Sequence, residues 1–329
     1  MSAGRPPGFR VDGELQQQSV PPVEAEELTA IADAVLDERS KAQLEGDGDA
    51  TLTAFGDDGY GPARVHLFRA QAGICVVIRL LNDRPPALEA LGLPPVVASF
   101  GVRQNGLILF AGPTGAGKTT AAASLLQSIN GSCPRHILTI EDPIEYRHVS
   151  QRSIVEQRQI GRDVRSFADA IVGALRSDAD VLLVGEMRDR ATMRAAIGAA
   201  ETGHLVLATL HTATAAHTID RIVGAFAGSE QNEIRSQLAQ SLLAIVCLRL
   251  IPCIKGGRTA ACEILIATDG VRALVRDGKT HNLRNVILTS GQLGMQTLEA
   301  HLDVLVRSGV IAQSTAMSYA QRGDQIRSA

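Results

Sequence analysis

The stretch Gly112-Pro113-Thr114-Gly115-Ala116-Gly117-Lys118-Thr119-Thr120 decides how the chain is read. It fits G-x-x-x-x-G-K-[ST]. The apolar run Leu107-Ile108-Leu109-Phe110-Ala111 precedes it and Ala121-Ala122-Ala123-Ser124-Leu125-Leu126 follows, which is the strand, glycine-rich loop, helix order that a phosphate cradle requires. Glycines let successive backbone N–H groups turn inward on a phosphate, and the helix N-terminus adds a favourable potential. Lys118 reaches the β- and γ-phosphates in such a loop, and Thr119 ligates Mg²⁺. An ordinary glycine-rich turn is the competing reading, and the agreement of pattern and flanks weighs against it.

Outward from the loop, strands are expected over 136–140, 179–186 and 205–209, with helices over 166–176 and 190–201 between them. Strands alternating with helices imply a parallel sheet, and in such sheets ligands bind at the carboxyl ends of the strands. Lys118, Glu141, Asp142, Glu145, Glu186 and His211 all fall at or just after such ends. Each acid alone is as well explained by a helix cap or by solvent. Together they supply what phosphoryl transfer needs: a hydroxyl and acids for Mg²⁺, a group to orient water, and cations for the developing charge. His204 and His211 lack the spacing of a helical metal pair and have no evident third ligand. The residues themselves thus reach a Mg²⁺-dependent NTPase and no biological role.

The 329 residues leave room for two domains. Hydrophobic residues make up 45% and charged residues 20%, with a net charge of −3, so the balance advertises neither nucleic acid nor an anionic membrane. Five cysteines without a C-x-x-C pair exclude a tetracysteine zinc site and a disulfide framework, and read as buried thiols of a reducing compartment. The N-terminus lacks the apolar core of a signal peptide, and the apolar run 242–251 is short and contains Arg249. A cytoplasmic protein is expected.

Towards the N-terminus, residues 8–15 read as a strand, an Asp12-Gly13 turn and a second strand, followed by a helix over 26–41 and strands over 63–68 and 73–80. The Gly/Asp-rich stretch 46–61 reads as their separator. Asn82-Asp83-Arg84-Pro85-Pro86 and Leu93-Pro94-Pro95 interrupt the pattern. The organisation expected is an N-terminal α+β domain over 1–82, a linker over 83–99 with a short helical segment, and an α/β ATPase domain over 100–329. Arg64 and Arg79, on two N-terminal strands, are on their own ordinary surface residues.

Four blocks in order resemble the secretion ATPase superfamily, most closely the PilT-like type IV pilus retraction ATPases. They are Gly112 to Thr120, residues 137–146 (ILTIEDPIEY), residues 180–189 (DVLLVGEMRD) and residues 200–212 (AETGHLVLATLHT), similar to that family's Walker A, Asp box, Walker B and His box. The resemblance implies a RecA-like P-loop NTPase domain behind a small PAS-like domain, with ATP and Mg²⁺ as ligands. Gly112, Pro113, Thr114, Gly115, Ala116, Gly117, Lys118, Thr119 and Thr120 would bind the nucleotide, and Thr119 with Glu186 would hold Mg²⁺, the latter through water. Glu145 would polarise the attacking water, His204 and His211 would link nucleotide state to the neighbouring subunit, and Arg64 and Arg79 would reach the phosphates.

The resemblance further implies a homo-hexamer that drives pilus retraction and twitching motility. It would work on an inner-membrane pilus platform protein, be membrane-associated only through partners, and make no direct contact with nucleic acid. Residues 270–277 (GVRALVRD) and 294–297 (GMQT) resemble the retraction subgroup's signatures. The first, read alone, is an amphipathic helix with Val271, Leu274 and Val275 inward and its arginines in solvent. The chain departs from the family in lacking an A-S-D-L-H-L opening, so that either an element of the N-terminal sheet is missing or the start site lies upstream, and in Pro62, Leu248, Gly270 and Ala273. Pilus assembly, competence, secretion or conjugative transport remain the alternatives within the class, and a nucleotide-gated regulatory protein without turnover the alternative outside it.

Overall fold

The computed structural model describes residues 1–11, 14–55 and 62–320. The chain divides into two compact units: Met1–Arg84 with Pro143–Arg147, and Pro85–Asp142 with the chain from His148 onward.

In the first unit β1 (Gly8–Val11) and β2 (Glu14–Gln17) pair antiparallel. The Asp12-Gly13 turn lies outside the described residues. The helix expected over 26–41 is two helices. α1 (Ala25–Val35) starts on a capping box between Glu24 and Glu27 and buries Leu28 and Ala32. Leu36 then turns extended and enters the core, and Asp37 accepts the Ser40 N–H at 2.8 Å to open α2 (Glu38–Gly46). Such a cap contributes about 1 kcal/mol and gives the new start a local cause. β3 (Asp49–Phe55), β4 (Pro62–Ala70) and β5 (Gly73–Leu80) make an antiparallel sheet in that order. β3 falls within the stretch read as a separator. Its alternation of Ala50, Leu52 and Ala54 with Thr51 and Thr53 is a period of two, which the flanking Gly/Asp residues obscure in the sequence.

The second unit runs α3 (Val96–Ser99), β6 (Gly106–Ala111), α4 (Lys118–Ser132), β7 (His136–Glu141), β8 (Ile154–Gln159), α5 (Phe167–Ala174), β9 (Val181–Val184), α6 (Arg190–Glu201) and β10 (Leu205–Leu210). It continues through α7 (Ala215–Gly224), α8 (Gln231–Ser241), β11 (Leu242–Pro252), β12 (Arg258–Ile266), α9 (Asp269–Arg276), α10 (Leu283–Thr289), α11 (Leu298–Arg307) and α12 (Gln313–Tyr319). The sheet order is β12-β11-β6-β10-β9-β7-β8, parallel throughout except for β12 on β11. β6, β9 and β10 are buried along their whole length because helices cover both faces. On β6 the period of two is explicit. Leu107 and Leu109 join the core that holds Met193, Ile197 and Ile219, while Ile108 and Phe110 pack with Leu125, Leu126 and Ile129 of α4.

Two segments singled out in the sequence turn out to be structural joints. Arg272 of α9 is not in solvent: its guanidinium donates to the carbonyls of Ala239 and Gln240, both at 2.5 Å, at the end of α8. A cation there satisfies carbonyls that the helix leaves unpaired. In GMQT, Gln296 exchanges backbone hydrogen bonds with Ile264 on β12, Met295 is buried, and Thr297 caps α11 by accepting the Ala300 N–H. Gly294 sits at φ +89°, where a Cβ would lie 2.8 Å from Val96 Cγ2. Gly294→Ala therefore meets both backbone strain and overpacking, and it should destabilise this unit by about 2–4 kcal/mol. Thermal or urea unfolding of the two proteins measures this, and an unchanged midpoint would count against it.

Two buried imidazoles set a limit on acid tolerance. His148 Nδ1–H donates to Gln127 Oε1 (2.9 Å), and His301 Nδ1 accepts the Cys262 N–H at 3.0 Å. Burial lowers each pKa from 6.5 to about 4. Below pH 6.5 the unfolded chain gains protons that the folded chain refuses until about pH 4. Stability is thus full above 6.5 and is lost as pH falls from 6.5 towards 4, by up to roughly 3 kcal/mol per histidine. Urea midpoints across that window should fall with pH, and His301→Gln should flatten part of the slope.

Candidate functional site

The loop between β6 and α4 is shaped by glycines at positive φ, Gly112, Gly115 and Gly117. Gly112 has φ +147°, and a Cβ there would lie 2.6 Å from the Leu248 carbonyl oxygen and 2.9 Å from Ala116 Cβ. Gly117, at φ +89°, is the N-cap of α4, and no side chain caps that helix. A fifteen-residue helix therefore presents its amino end to the loop, the arrangement that favours an anion. Thr119 is the second residue of α4. Beside the loop a cavity of about 150 Å³ is bounded by Gly117, Thr120, Leu91, Leu248, Leu250 and Thr259.

At the carboxyl ends of β6, β9 and β10 three side chains meet. Lys118 is 7% exposed, and its ammonium donates to the carbonyls of Gly112 and Pro113, each at 3.0 Å. His211 Nδ1 lies 3.4 Å from that ammonium and 3.5 Å from Thr114 Oγ1. On the other side of the ring, His211 Nε2 is 3.3 Å from Glu186 Oε1. One tautomer satisfies both contacts: Nε2–H donates to Glu186 and Nδ1 accepts from Lys118. The imidazole thus joins the loop lysine to the strand-end carboxylate. Glu186 is held from its second oxygen by Arg188 Nε at 2.7 Å, and its side chain is 18% exposed. Thr209 Oγ1 donates to the Gly185 carbonyl, and the Met187 N–H donates to the Thr209 carbonyl, so β10 fixes the backbone on both sides of Glu186.

The remaining candidates separate. Glu141 is buried and accepts from Thr139 Oγ1 at 2.7 Å and Gln157 Nε2 at 3.1 Å, within its own strand and the next. Asp142 is exposed. His204 precedes β10, at the amino end of the sheet. Its Nδ1 is 3.0 Å from the Ala199 carbonyl, and its own carbonyl accepts from Gly106 N–H at the start of β6. The structure therefore does not bring it to the Lys118, His211 and Glu186 cluster. Glu145 belongs to the N-terminal unit, where Arg64 Nη1 reaches its Oε1 at 3.5 Å. Arg64 and Arg79 are register partners on β4 and β5, so two guanidinium groups sit side by side in that sheet. A half-exposed pair such as Arg64 with Glu145 contributes no more than about 1 kcal/mol to stability.

Sequence reasoning passed over Arg188 and Thr209. The signal for Arg188 was its place two residues after Glu186 with the buried Met187 between them. Thr209 reads in the sequence as an ordinary strand residue.

A parallel sheet with a glycine-rich loop after β6 and an acid at the end of β9 defines the class, a RecA-like P-loop NTPase fold. The chain belongs to the family described as Type II/IV secretion system protein, whose model matches residues 8–281. It is 41% identical over 321 residues to the type IV pilus retractation ATPase PilT of Pseudomonas aeruginosa, covering 98% of this chain and 93% of that protein. It is 39% identical to the twitching motility protein of Neisseria gonorrhoeae, over 97% of this chain and 86% of that one. The crystal structure of the pilus retraction motor PilT with bound ADP superposes with a TM-score of 0.89 at 40% identity, covering 99% of this chain and 93% of that one. The resemblance carried by the four sequence blocks therefore extends over the whole chain.

Among the described residues the thiols are unpaired, no helix is long and apolar enough to cross a membrane, and no group of three or more His, Cys, Asp or Glu side chains is placed to hold a metal.

Proposed function

We propose that this chain is a Mg²⁺-dependent ATPase motor that drives type IV pilus retraction. The observation that carries the proposal is the Lys118, His211 and Glu186 chain at the strand ends. It occurs in a protein similar over nearly its whole length to a retraction ATPase.

The loop fits the nucleotide. Its glycines leave room against Leu248, α4 lends its uncapped amino end to the phosphates, and Lys118 exchanges the loop carbonyls for phosphate oxygens. The cavity beside Thr120, lined by Leu91, Leu248 and Leu250 together with Thr120, Arg258 and Thr259, offers both apolar and polar contacts to the base and ribose. Thr119 and Glu186 suit Mg²⁺, which takes few protein ligands and otherwise binds phosphate and water. When bound, the ion neutralises charge developing on the phosphates. Glu186 lies between His211 and Arg188, and its carboxylate would accept hydrogen bonds from water on the ion. Glu145 polarises the attacking water in this reading, and Arg64 and Arg79 supply cations to the phosphates. When Lys118 turns to a phosphate, His211 loses that contact and keeps those to Thr114 and Glu186. The state of the nucleotide is thereby written into the loop after β10, and His211, with His204 at the far end of that strand, passes it to a neighbouring subunit of a homo-hexamer.

The N-terminal unit takes the place of the PAS-like domain, and the ring works in the cytoplasm on an inner-membrane pilus platform protein. Retraction, among the activities of the class, is favoured because the similarity to the retractation ATPase and the twitching motility protein covers most of each. The test is deletion of this gene in its own host. Loss of twitching with retained or increased surface pili, restored by the parent gene and not by the Lys118→Ala gene, is the result expected. Loss of surface pili instead would assign the motor to assembly.

A further inference from the structure

Glu263 lies on β12, 3% exposed, on the far side of β11 from the phosphate loop. Its Oε1 accepts the Ala215 N–H at 2.8 Å. Ala215 is the first residue of α7 and stands four residues after His211. A helix leaves its first N–H groups without intrahelical partners, and a carboxylate there is favoured by both the hydrogen bond and the helix dipole. The short segment from His211 to Thr214 is closed on the same turn. Thr212 and Thr218 share a hydroxyl contact of 2.7 Å, Thr218 Oγ1 donates to the Thr214 carbonyl, and Thr214 Oγ1 accepts the His217 N–H. His211 therefore has its other end fixed to β12 by a single buried side chain.

We infer that Glu263 is a positioning residue for ATP hydrolysis: by anchoring the amino end of α7 it holds His211 in register between Lys118 and Glu186. The inference rests on the ATPase reading of that cluster. Glu263 connects it to the C-terminal helices as well. A cavity of about 190 Å³ between α7 and α10 is lined by Glu263, Thr214, His217 and Arg284. Arg284 pairs with the buried Glu299 of α11 at 3.2 Å. Burial pushes the Glu263 carboxyl above its ordinary 4.5, while the Ala215 N–H and the Arg284 charge pull it back. Its ionised form thus depends on the two groups that it ties together. On the other flank Glu263 is register partner to Cys247, and Cys247 to Ala111, the residue before Gly112. Glu263 thus lies between α10 on one side and, on the other, both the strands that lead to the phosphate loop and the segment that carries His211.

Two conservative variants of the full chain separate reach from charge. Glu263→Asp keeps the charge beside Arg284 but is one methylene too short for the Ala215 N–H. Glu263→Gln keeps the reach and the accepting oxygen without the charge. Glu263→Asp should lower kcat by on the order of 10- to 100-fold with KM for ATP little changed, because a displaced group costs the reaction step more than binding. Hydrogen exchange should quicken over residues 211–218 and not elsewhere. Glu263→Gln should restore most of kcat and the slow exchange. Parent-like kcat and exchange in Glu263→Asp overturn the inference, and so does equal impairment of both variants. Hydrolysis by the parent is the control: its absence removes the ATPase reading, and the exchange pattern then decides alone whether Glu263 anchors the His211 segment.

Discussion

Glu186→Gln should all but abolish steady-state ATP hydrolysis, lowering kcat by about 10³-fold, while ATP binding is retained. The substitution is isosteric: Gln Oε1 can still accept from His211 Nε2–H, while its amide NH2 cannot accept from Arg188, whose 67%-exposed side chain is free to turn to water, so the fold has no reason to change. What it removes is the negative charge that the proposed function assigns to Mg²⁺ and its water at the end of β9. Binding is carried by the glycine-rich loop, the amino end of α4 and Lys118, none of which the variant touches. Phosphate release measures the first quantity, and a fluorescent ATP analogue measures the second. Parent-like turnover would remove Glu186 from the reaction, and loss of binding would show that its charge shapes the loop instead.

Lys118→Ala should weaken binding and lower turnover together. The ammonium is buried against two loop carbonyls, and it is the cation that the phosphate loop itself contributes. Its loss should cost turnover on the order of 10²- to 10³-fold, the scale of one preorganised donor at a site of developing charge, in addition to the weakened affinity. The fold should survive. Ala is a good helix former at the first position of α4, and the two carbonyls can be served by water, so the melting temperature should move by only a few degrees. Glu186→Gln and Lys118→Ala together separate chemistry from binding. A Lys118→Ala protein that still bound and hydrolysed ATP would leave the phosphate-loop reading without support.

Much of this was legible in the sequence because the second unit obeys local rules. The apolar runs of β6, β9 and β10 and the alternation of helices between them imply a parallel sheet, and the parallel order then places Lys118, Glu186 and His211 at the same edge. His204 shows the same rule from the other side. Seven residues before His211, it is carried to the opposite edge because β10 runs between the two histidines. The features that stayed hidden depend on contacts distant in sequence. β8 and β12 lack a strong apolar period. The two arginines of the 270–277 helix read as solvated until α8 brings the carbonyls of Ala239 and Gln240 to Arg272. Glu263 lies 48 residues from its partner Ala215, and nothing in its local sequence separates it from an ordinary strand acid. GMQT was legible as a signature but not as a joint, since the need for Gly294 comes from Val96, nearly two hundred residues earlier.

The central claim is that the Lys118, His211 and Glu186 cluster hydrolyses ATP, and phosphate release by the purified, assembled full chain with Mg²⁺ tests it most directly. The account predicts steady turnover that disappears on chelation of the metal and in Glu186→Gln. A folded, assembled protein that binds ATP and releases no phosphate would contradict it, and would make the chain a nucleotide-gated regulator instead of a motor.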